Sequence, residues 1–271
     1  MRRRSFLGVL AAWILLLPRR LAHAICNPSL VRLLDGGRDL VQLQPRGAPR
    51  LGHYFIQWFG HSSFLIQSGS QTKVVTDPNF NVTPGIRADA VTVSNDHFTH
   101  NNVSAVSGNP IILRGITLRQ TWNPIRTSVK DITIVNLPSQ RGAFWGEIAN
   151  SIFIYEMGSL CLAHLGNLGH LMTPEQEKIL QRVDVLMTPI DAMTNLGFED
   201  LLRVIEQVRP PVVIPMHYDL PRQADLFAGF VGDRYPIRRF KNSQLSLSRS
   251  MLPAATEIFI LTYPRSPFSW E

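Results

Sequence analysis

The sequence lacks several features that would assign it to a familiar class. Its longest apolar run, from Phe6 to Leu17, is shorter than the roughly 20 residues that a transmembrane helix needs. Its glycine pairs, as in LLDGGRDL, lack the glycine spacing and the strand-to-helix context of a phosphate-binding loop. It has no internal repeat of short period and no low-complexity segment. These absences leave a folded domain without a membrane span as the expectation.

A serine nucleophile is also not indicated. Ser62 and Ser63 lie beside His61 in FGHSS, which resembles a nucleophile next to a base. No acidic partner and no G-x-S-x-G turn accompany them, so a structural role is the better interpretation of these serines.

The first 24 residues have the form of a cleavable export signal. A basic start precedes the apolar run, and a small-x-small end at Ala22 to Ala24 follows it. RRSFL at residues 3–7 fits the twin-arginine pattern, and Arg19 and Arg20 fit that route because charge there disfavours ordinary secretion. A plain secretory signal or a retained anchor is the alternative. We predict a bacterial protein that is periplasmic or secreted, with no transmembrane anchor after cleavage.

Removal of that segment changes the meaning of the charge. The whole chain has a formal net charge of +7, but the leader holds five arginines and no acidic residue, so the processed chain falls to +2. A basic binding surface is therefore not indicated, and we expect no nucleic-acid partner. After the leader we expect an N-terminal arm over residues 25–50 and one large α/β domain over residues 51–271.

Only two cysteines are present, Cys26 and Cys161. An exported protein can form a disulfide, but nothing in the sequence indicates that these two meet. Cys161 lies in the apolar run SLCLAHL, which predicts a strand, and a buried free thiol is the expected state there. Lipidation of Cys26 is not expected, because Ile25 stands where a small residue would be needed.

Short apolar runs broken by turn residues predict a β-rich first half. Tyr54–Phe59, Ser63–Gln67 and Lys73–Thr76 have the lengths and composition of consecutive strands in a meander. Ala90–Val93 predicts another strand, which leads into a loop that contains two histidines. Three further strands are predicted at Asp131–Pro138, Ser151–Met157 and Ser159–Leu165.

In the second half, helices alternate with buried strands. Thr173, Pro174 and Gln176 have the pattern of a capping box that begins a helix. Helices are also predicted over Phe198–Pro210 and Gln223–Val231, and strands over Asp184–Ile190 and Pro211–Tyr218. Two β-rich blocks, each followed by helices, predict an α/β protein built as a four-layer αββα sandwich in a single domain. Loops from both sheets would meet at one edge of that sandwich.

Six histidines stand at strand ends or in the loops that follow strands. They are His61, His97, His100, His164, His170 and His217. Imidazole is the commonest neutral metal ligand, and strand-end histidines that converge on one cleft are typical of a zinc site. For any one of them, a hydrogen-bonded structural histidine is the ordinary alternative. We expect the set to gather at a shared site, whether or not it binds metal.

The run of motifs resembles the metallo-β-lactamase superfamily, and most closely its branch of ascorbate-phosphate lactonases and N-acyl-phosphatidylethanolamine phospholipases. WFGHSSFLI and TDP are similar to that branch's opening strands, and VVIPMHY is similar to its last histidine segment. VTVSNDHFTHNN stands in place of the H-x-H-x-D-H loop, NLPSQRG in place of a P-x-x-H turn, and AHLGNLGH in place of a strand end reading H-L-G-D. The resemblance covers about residues 51–220 and implies the same four-layer fold.

The ligand positions depart from the family pattern. By resemblance, one metal would lie at the positions of Asn95, His97 and Arg141, and a second at those of Thr99, His100 and His217, with Asn167 between them. Both of the family's carboxylates are therefore missing. Two divalent ions about 4 Å apart repel by roughly 17 kcal/mol at an effective dielectric of about 20, and no carboxylate here would offset that repulsion. The resemblance thus implies one divalent metal at most, with zinc the first choice.

Two functions remain open from the sequence. In one, an exported hydrolase uses a metal-activated water on an ester, a lactone or a phosphodiester, and Arg141 clamps an anionic group of the substrate. Its metal would be held by His97, His100 and His217, with His164 as a fourth candidate, and Asn167 or Asn95 would orient the water or the substrate. His61, Asp77, Thr99 and His170 would support these groups from behind. In the other, a metal-free binding module of the same fold holds an anionic small molecule near Arg141.

Overall fold

The structure is a computed structural model, and it describes residues 53–80, 85–141 and 149–264. The export signal expected over residues 1–24 and the arm expected over residues 25–50 lie outside the described residues. Both stay predictions.

Strands and helices are numbered along the chain. The strands are β1 (Tyr54–Gly60), β2 (Ser63–Gln67), β3 (Lys73–Thr76), β4 (Ile86–Arg87), β5 (Ala90–Val93), β6 (Val106–Ser107), β7 (Ile111–Arg114), β8 (Arg126–Val129), β9 (Ile132–Gln140), β10 (Ala149–Met157), β11 (Leu160–His164), β12 (Val185–Pro189), β13 (Val212–Met216), β14 (Ile237–Arg239), β15 (Gln244–Leu247) and β16 (Glu257–Ile260). The helices are α1 (Pro174–Leu180), α2 (Phe198–Val208) and α3 (Pro221–Val231), and short 3₁₀ turns lie at Val103–Ala105 and Arg249–Met251.

The strands form two large mixed sheets. One has six strands in the order β15-β1-β2-β3-β5-β7, and the other has eight in the order β14-β16-β13-β12-β11-β10-β9-β8. The antiparallel pairs β1–β2, β2–β3, β9–β10 and β10–β11 follow from short turns, whereas β11, β12 and β13 run parallel because a helix connects each to the next. A two-stranded ladder, β4–β6, lies apart from both sheets.

The two large sheets face each other across the main core. Alternate residues of β1, namely Tyr54, Ile56 and Trp58, belong to the same buried cluster as the strands of the eight-stranded sheet. The opposite face of the six-stranded sheet contributes Phe59 and Leu65 to a second buried cluster, which the β4–β6 ladder covers. The two packed sheets expected from the sequence are therefore present, and among the described residues the β4–β6 ladder packs on the outer face of the six-stranded sheet.

The described helices lie on one side of the molecule, against the eight-stranded sheet. Since α1 and α2 each connect neighbouring parallel strands, right-handed crossovers place both on the same face. The ring of Phe198 in α2 packs against that of Phe227 in α3, with centroids 5.5 Å apart. Within residues 53–80, 85–141 and 149–264, no α-helix is long and apolar enough to cross a membrane.

Cys161 is disulfide-bonded, which corrects the expectation of a buried free thiol. The residue lies in β11 and is 3% exposed, so its burial was anticipated correctly. The chain's other cysteine, Cys26, lies outside the described residues. The apolar pattern around Cys161 predicts burial whether the sulfur is bonded or free, so the sequence could not separate these two states.

Replacement of Thr173 by alanine tests the capping box of α1. The Thr173 side chain accepts a hydrogen bond from the Gln176 backbone N–H, and the Gln176 side chain accepts one from the Thr173 backbone N–H. Thr173→Ala should lower the free energy of unfolding by about 1 kcal/mol, measured by urea denaturation. Thr173→Ser should keep most of the stability, and exposed Lys178→Ala should change little; equal losses in all three variants would contradict this assignment.

Candidate metal and substrate site

The candidate site lies at one edge of the sandwich, where loops from both sheets meet. The loops follow the carboxyl ends of β5, β11, β12 and β13, and the tight turn between β1 and β2 joins them. Strand ends of this kind are where mixed α/β sheets bind ligands. The edge predicted from the sequence as a meeting place of loops is therefore where these residues collect.

Three histidines come together at this edge: His61, His100 and His217. One ring nitrogen of each lies within 4.8 Å of the others, and this is the single such group of three among the described residues. The ring centroids of His61 and His217 are 3.8 Å apart, and that of His100 is 5.3 Å from each. His61 was expected behind the site, but the structure places it in the cluster.

His100 is oriented by a buried carboxylate. Its Nδ1 lies 2.7 Å from Asp77 Oδ2 and 3.0 Å from Ser62 Oγ, so the ring proton sits on Nδ1 and is donated to Asp77. Nε2 of His100 is buried and has no hydrogen-bond partner. Burial lowers the pKa of His100 well below its usual range, which keeps the ring neutral and its Nε2 lone pair free.

Asp77 also holds the loop that follows β5. Its Oδ1 accepts a hydrogen bond from the Ser94 backbone N–H at 2.7 Å, and its Oδ2 accepts one from Ser94 Oγ at 2.5 Å. Burial raises the pKa of the Asp77 carboxyl, while His164 and Ser94 act in the opposite direction. One carboxylate thus connects the end of β3 to the start of the histidine loop.

His217 is oriented in the same way from the loop that follows β12. Its Nδ1 lies 3.2 Å from Asp191 Oδ2, and its Nε2 is buried without a partner. Thr194 Oγ1 and Asn195 Nδ2 donate to the two Asp191 oxygens at 2.5 and 2.9 Å. Burial alone would raise the pKa of Asp191, but the His217 contact and these hydrogen bonds outweigh it and lower that pKa. Burial lowers the pKa of His217.

A backbone contact ties His61 to His217. The His61 carbonyl accepts the His217 N–H at 2.8 Å and the Trp58 indole N–H at 2.9 Å. On the side chain of His61, Nδ1 lies 3.7 Å from Asp219 Oδ1, and Nε2 lies 3.2 Å from Thr99 Oγ1. The contact with His61 lowers the pKa of Asp219. Each of the three histidines therefore has an aspartate behind one ring nitrogen.

His97 was expected among the metal ligands, and the structure places it outside the group of three. Its Nδ1 lies 2.8 Å from Thr99 Oγ1, which is also the hydroxyl next to His61. The ring lines the wall of the pocket above the cluster. Burial, followed by the nearby charge of Arg141, lowers the pKa of His97. Thr99 thus bridges two histidines at the position where the family pattern has a carboxylate.

His164 and His170 are occupied by protein partners. His164 Nε2 donates to the Ser62 carbonyl at 2.8 Å and its Nδ1 accepts the Gly166 N–H at 3.2 Å, so neither nitrogen is free for a metal. That corrects the expectation of a fourth ligand in favour of the structural alternative. His170 Nδ1 donates to the Leu171 carbonyl and its Nε2 accepts from Ser139 Oγ, beside a different cavity from the one that the cluster borders.

The two asparagines differ in what they offer. Asn95 Nδ2 donates to Ser94 Oγ and its Oδ1 accepts the His97 N–H, so its amide holds the loop together. The expectation that Asn95 orients water or substrate does not fit this use. Both side-chain polar atoms of Asn167 are buried and have no partner, which leaves that amide free to bind a ligand.

Gly166 is required by the close approach of three segments near Asn167. Its φ is +56°, and a Cβ there would lie 2.4 Å from Asn150 Oδ1 and 2.7 Å from the Ser94 side chain. Asn150 in turn accepts the Asn167 N–H at 2.9 Å and donates to the Leu165 carbonyl at 3.0 Å. A glycine at this point lets β10, the β5 loop and the β11 loop converge.

A pocket with a cavity volume of about 260 Å³ opens over the cluster. Arg141 lines it together with His61, His97 and His217. The Arg141 Nε is buried and has no hydrogen-bond partner, and no ion pair of its guanidinium is found among the described residues. The carboxylates of Asp191 and Asp219 also line the pocket, but both face histidines, so the guanidinium N–H groups of Arg141 are free to bind an oxygen of a ligand.

Backbone strain coincides with the site. His61, Asp77 and His217 have φ values of 51°, 38° and 60°, in the left-handed region that residues with a Cβ seldom adopt. Such residues cluster where the surrounding contacts over-determine the backbone, which is common at functional sites. Here those contacts are the Asp77 and His61 hydrogen bonds.

The sequence interpretation missed Asp191, Asn195 and Asp219. Asp191 follows β12, which was predicted as a buried parallel strand, so its place at a carboxyl end was a usable signal. Asp219 lies two residues after His217. Without the fold, nothing indicated that these carboxylates lie behind imidazoles rather than in solvent.

Comparison with known proteins gives one family. The family model described as "Beta-lactamase superfamily domain" matches residues 55–217. A UPF0173 protein of Pyrococcus furiosus is 27% identical over 184 residues, which cover 63% of this chain and 86% of that protein. A UPF0173 metal-dependent hydrolase of Pyrobaculum islandicum is 26% identical over 191 residues, which cover 60% and 84% of the two chains.

Solved structures agree with this match. A candidate Zn-dependent hydrolase of the metallo-β-lactamase superfamily from Thermotoga maritima is 25% identical with a TM-score of 0.58, and the match covers 77% of this chain and 98% of that one. Igni18, a metallo hydrolase of Ignicoccus hospitalis, is 16% identical with a TM-score of 0.55, covers 81% and 100%, and supports the fold alone. The expected fold and the family resemblance are confirmed, and the expectation of an enzyme agrees with the relatives' names.

Replacement of Asp77 by asparagine tests the buried carboxylate. Asp77 accepts three hydrogen bonds, and in Asp77→Asn the new NH₂ group would face one of these donors instead of accepting from it. The substitution should therefore lower the free energy of unfolding by about 2–4 kcal/mol, measured by urea denaturation. Exposed Asp233→Asn is the matched control and should change it by less than about 0.5 kcal/mol. A small, equal effect in the two variants would show that Asp77 does not hold the histidine loop.

Proposed function

The chain belongs to the β-lactamase superfamily, and we propose that within it this protein is a metal-dependent hydrolase with a single metal site at His61, His100 and His217. The observation that carries the proposal is the pair of buried, unpartnered Nε2 atoms on His100 and His217, each on a ring whose Nδ1 faces a carboxylate. Metal-binding histidines are held in this manner in many proteins, because the carboxylate sets the tautomer and the ring direction. An unpartnered buried nitrogen is costly unless something binds it.

The donor set fits one divalent ion of the zinc type. Three imidazoles with an open fourth position are a familiar catalytic zinc arrangement. His61 would give up its 3.2 Å contact with Thr99 Oγ1 on binding the ion. Thr99 and Asn167 stand where the family resemblance would have carboxylates, so no carboxylate occupies the position that bridges two ions in the family. When bound, such an ion is a Lewis acid that activates water near neutral pH.

The surrounding side chains supply the other functions. The Arg141 guanidinium would hold an oxygen of an ester, a lactone or a phosphodiester, because Arg141 lines the same pocket and its Nε has no partner. His97, kept neutral by burial and by Arg141, can accept a proton from water at its free nitrogen, while Thr99 holds its Nδ1. The free amide of Asn167 can orient the water or the substrate.

A metal-free binding module is the second candidate, and the unpaired Arg141 favours it. In that case Arg141 and the three imidazoles would hold an anionic small molecule directly. The two candidates differ in one property, the metal content of the purified chain, since the pocket is the same in both.

We also propose export of this protein through the twin-arginine route, with cleavage after Ala24. The basic and apolar leader supports it. The disulfide at Cys161 is in keeping with an oxidising compartment.

Metal analysis tests the site. Residues 25–271, purified without chelators and analysed by plasma mass spectrometry, should contain about one zinc, iron or manganese per chain. His61→Ala should lower the content or the affinity at least tenfold, and His100→Ala/His217→Ala should abolish binding, because these changes remove ligands. His170→Ala is the matched control and should keep the metal.

The same experiment distinguishes the ligand sets. If His97→Ala loses the metal and His61→Ala retains it, the set expected from the sequence is the better one. If the unaltered chain binds no metal even after incubation with zinc, the hydrolase proposal fails and the anion-binding module takes its place.

Export can be tested with a paired substitution. Arg3→Lys/Arg4→Lys should leave the uncleaved precursor in the cytoplasm, whereas Arg2→Lys should still give a mature chain that begins at Ile25 in N-terminal sequencing. Unchanged processing of the double variant would rule out the twin-arginine route.

A further inference from the structure

We propose that the rim of the pocket binds an apolar group of the substrate, so that the substrate is an amphiphile with its scissile ester or phosphodiester next to an alkyl or aryl chain. This inference rests on the proposed hydrolase function. It is carried by four large, exposed apolar side chains: Met193 lines the pocket, Phe98 packs on the pocket-lining His97, Phe80 packs near Phe98, and Leu220 follows the pocket-lining Asp219 in the sequence.

One side of the rim consists of Phe80 and Phe98. They are 64% and 60% exposed, although their rings lie 6.2 Å apart. The ring of Phe98 also packs on that of His97, with centroids 4.4 Å apart, and His97 lines the pocket. An apolar surface on this side therefore continues directly from the pocket wall.

The other side of the rim consists of Met193 and Leu220. Met193 is 79% exposed and lines the pocket, next to Thr194 of the loop that holds His217. Leu220 is 64% exposed and lies in the sequence between Asp219 and Gln223, which both line the pocket. Large apolar groups gathered near a pocket are typical of a binding site, whereas apolar side chains exposed singly elsewhere need no explanation.

The pocket is large enough for only one part of such a substrate. Its volume of about 260 Å³ is below the roughly 300–1,000 Å³ of most small-molecule pockets. It therefore takes the scissile group, whose oxygens suit Arg141, and leaves little room for a long substituent. A longer substituent has to leave through the mouth, where it meets Phe98 and Met193.

The expected signature is a rate that grows with chain length. Full burial of a methylene favours binding about fourfold, and an open rim should supply about half of that free energy, or about twofold for each methylene. From p-nitrophenyl butyrate to p-nitrophenyl octanoate, all kept below micelle-forming concentrations, kcat/KM of the metal-loaded chain should rise about tenfold or more. The double variant Phe98→Ser/Met193→Ser should reduce that rise to threefold or less.

The matched control is Leu118→Ser/Met251→Ser, which removes a leucine and a methionine that are 91% and 49% exposed and do not line the pocket. It should keep the chain-length dependence of the unaltered protein. A flat profile in the unaltered chain, or an equal profile in the rim variant, would overturn the proposal. If the profile is flat and the chain also pellets with lipid vesicles, the proposal is overturned and these apolar side chains form a membrane-docking surface instead.

A binding measurement separates this inference from the proposed function. Calorimetric titration with methylphosphonate and octylphosphonate should show at least tenfold tighter binding of the octyl compound, and Phe98→Ser/Met193→Ser should remove that preference. If the chain binds no metal but the octyl preference is present, the hydrolase proposal fails and the amphiphile-binding rim stands. If esters are hydrolysed without any preference, the rim proposal fails alone.

Discussion

The buried carboxylate of Asp77 is the contact on which the site depends. It lies at the end of β3, accepts two hydrogen bonds from Ser94 at the start of the histidine loop, and accepts the Nδ1 proton of His100. A carboxylate in a buried setting is tolerated only when several donors surround it. Here the donors come from the one loop that follows β5, 17 and 23 residues after Asp77. The contact that holds the loop in the fold therefore also orients His100, because movement of Ser94 or His100 would leave the buried carboxylate without a hydrogen-bond donor.

The two other histidines also face an aspartate, and these aspartates are less buried than Asp77. Asp191, held by Thr194 and Asn195, faces His217, and Asp219 faces His61 from a more exposed position. The His61 carbonyl then joins two of these units by accepting the His217 N–H. Each of the three imidazoles faces an aspartate, and Thr99 and Asn167 stand where the family resemblance would have carboxylates. This charge pattern is the physical basis for proposing one metal rather than two.

Much of the fold was predictable because its elements have strong local signals. The capping box at Thr173 begins α1 as expected, and β2 (Ser63–Gln67), β3 (Lys73–Thr76) and β5 (Ala90–Val93) have the predicted bounds. The strands that were missed, among them β7, β8 and β14 to β16, are short or lie toward sheet edges, where exposed and polar residues weaken the alternation that marks a strand. The state of Cys161 also escaped prediction, because a disulfide depends on a residue far away in sequence.

The sequence by itself determined the family, the sandwich of two sheets and the collection of histidines at strand ends, because periodicity, caps and motif order are local properties of the chain. Only the tertiary structure decided which nitrogen atoms meet. It placed His61 in the cluster and His97 on the pocket wall, gave both nitrogens of His164 to protein partners, and set an aspartate behind each of the three clustered rings. These outcomes depend on backbone conformations such as the positive φ of His61 and His217, which contacts between distant segments impose and which no residue spacing encodes.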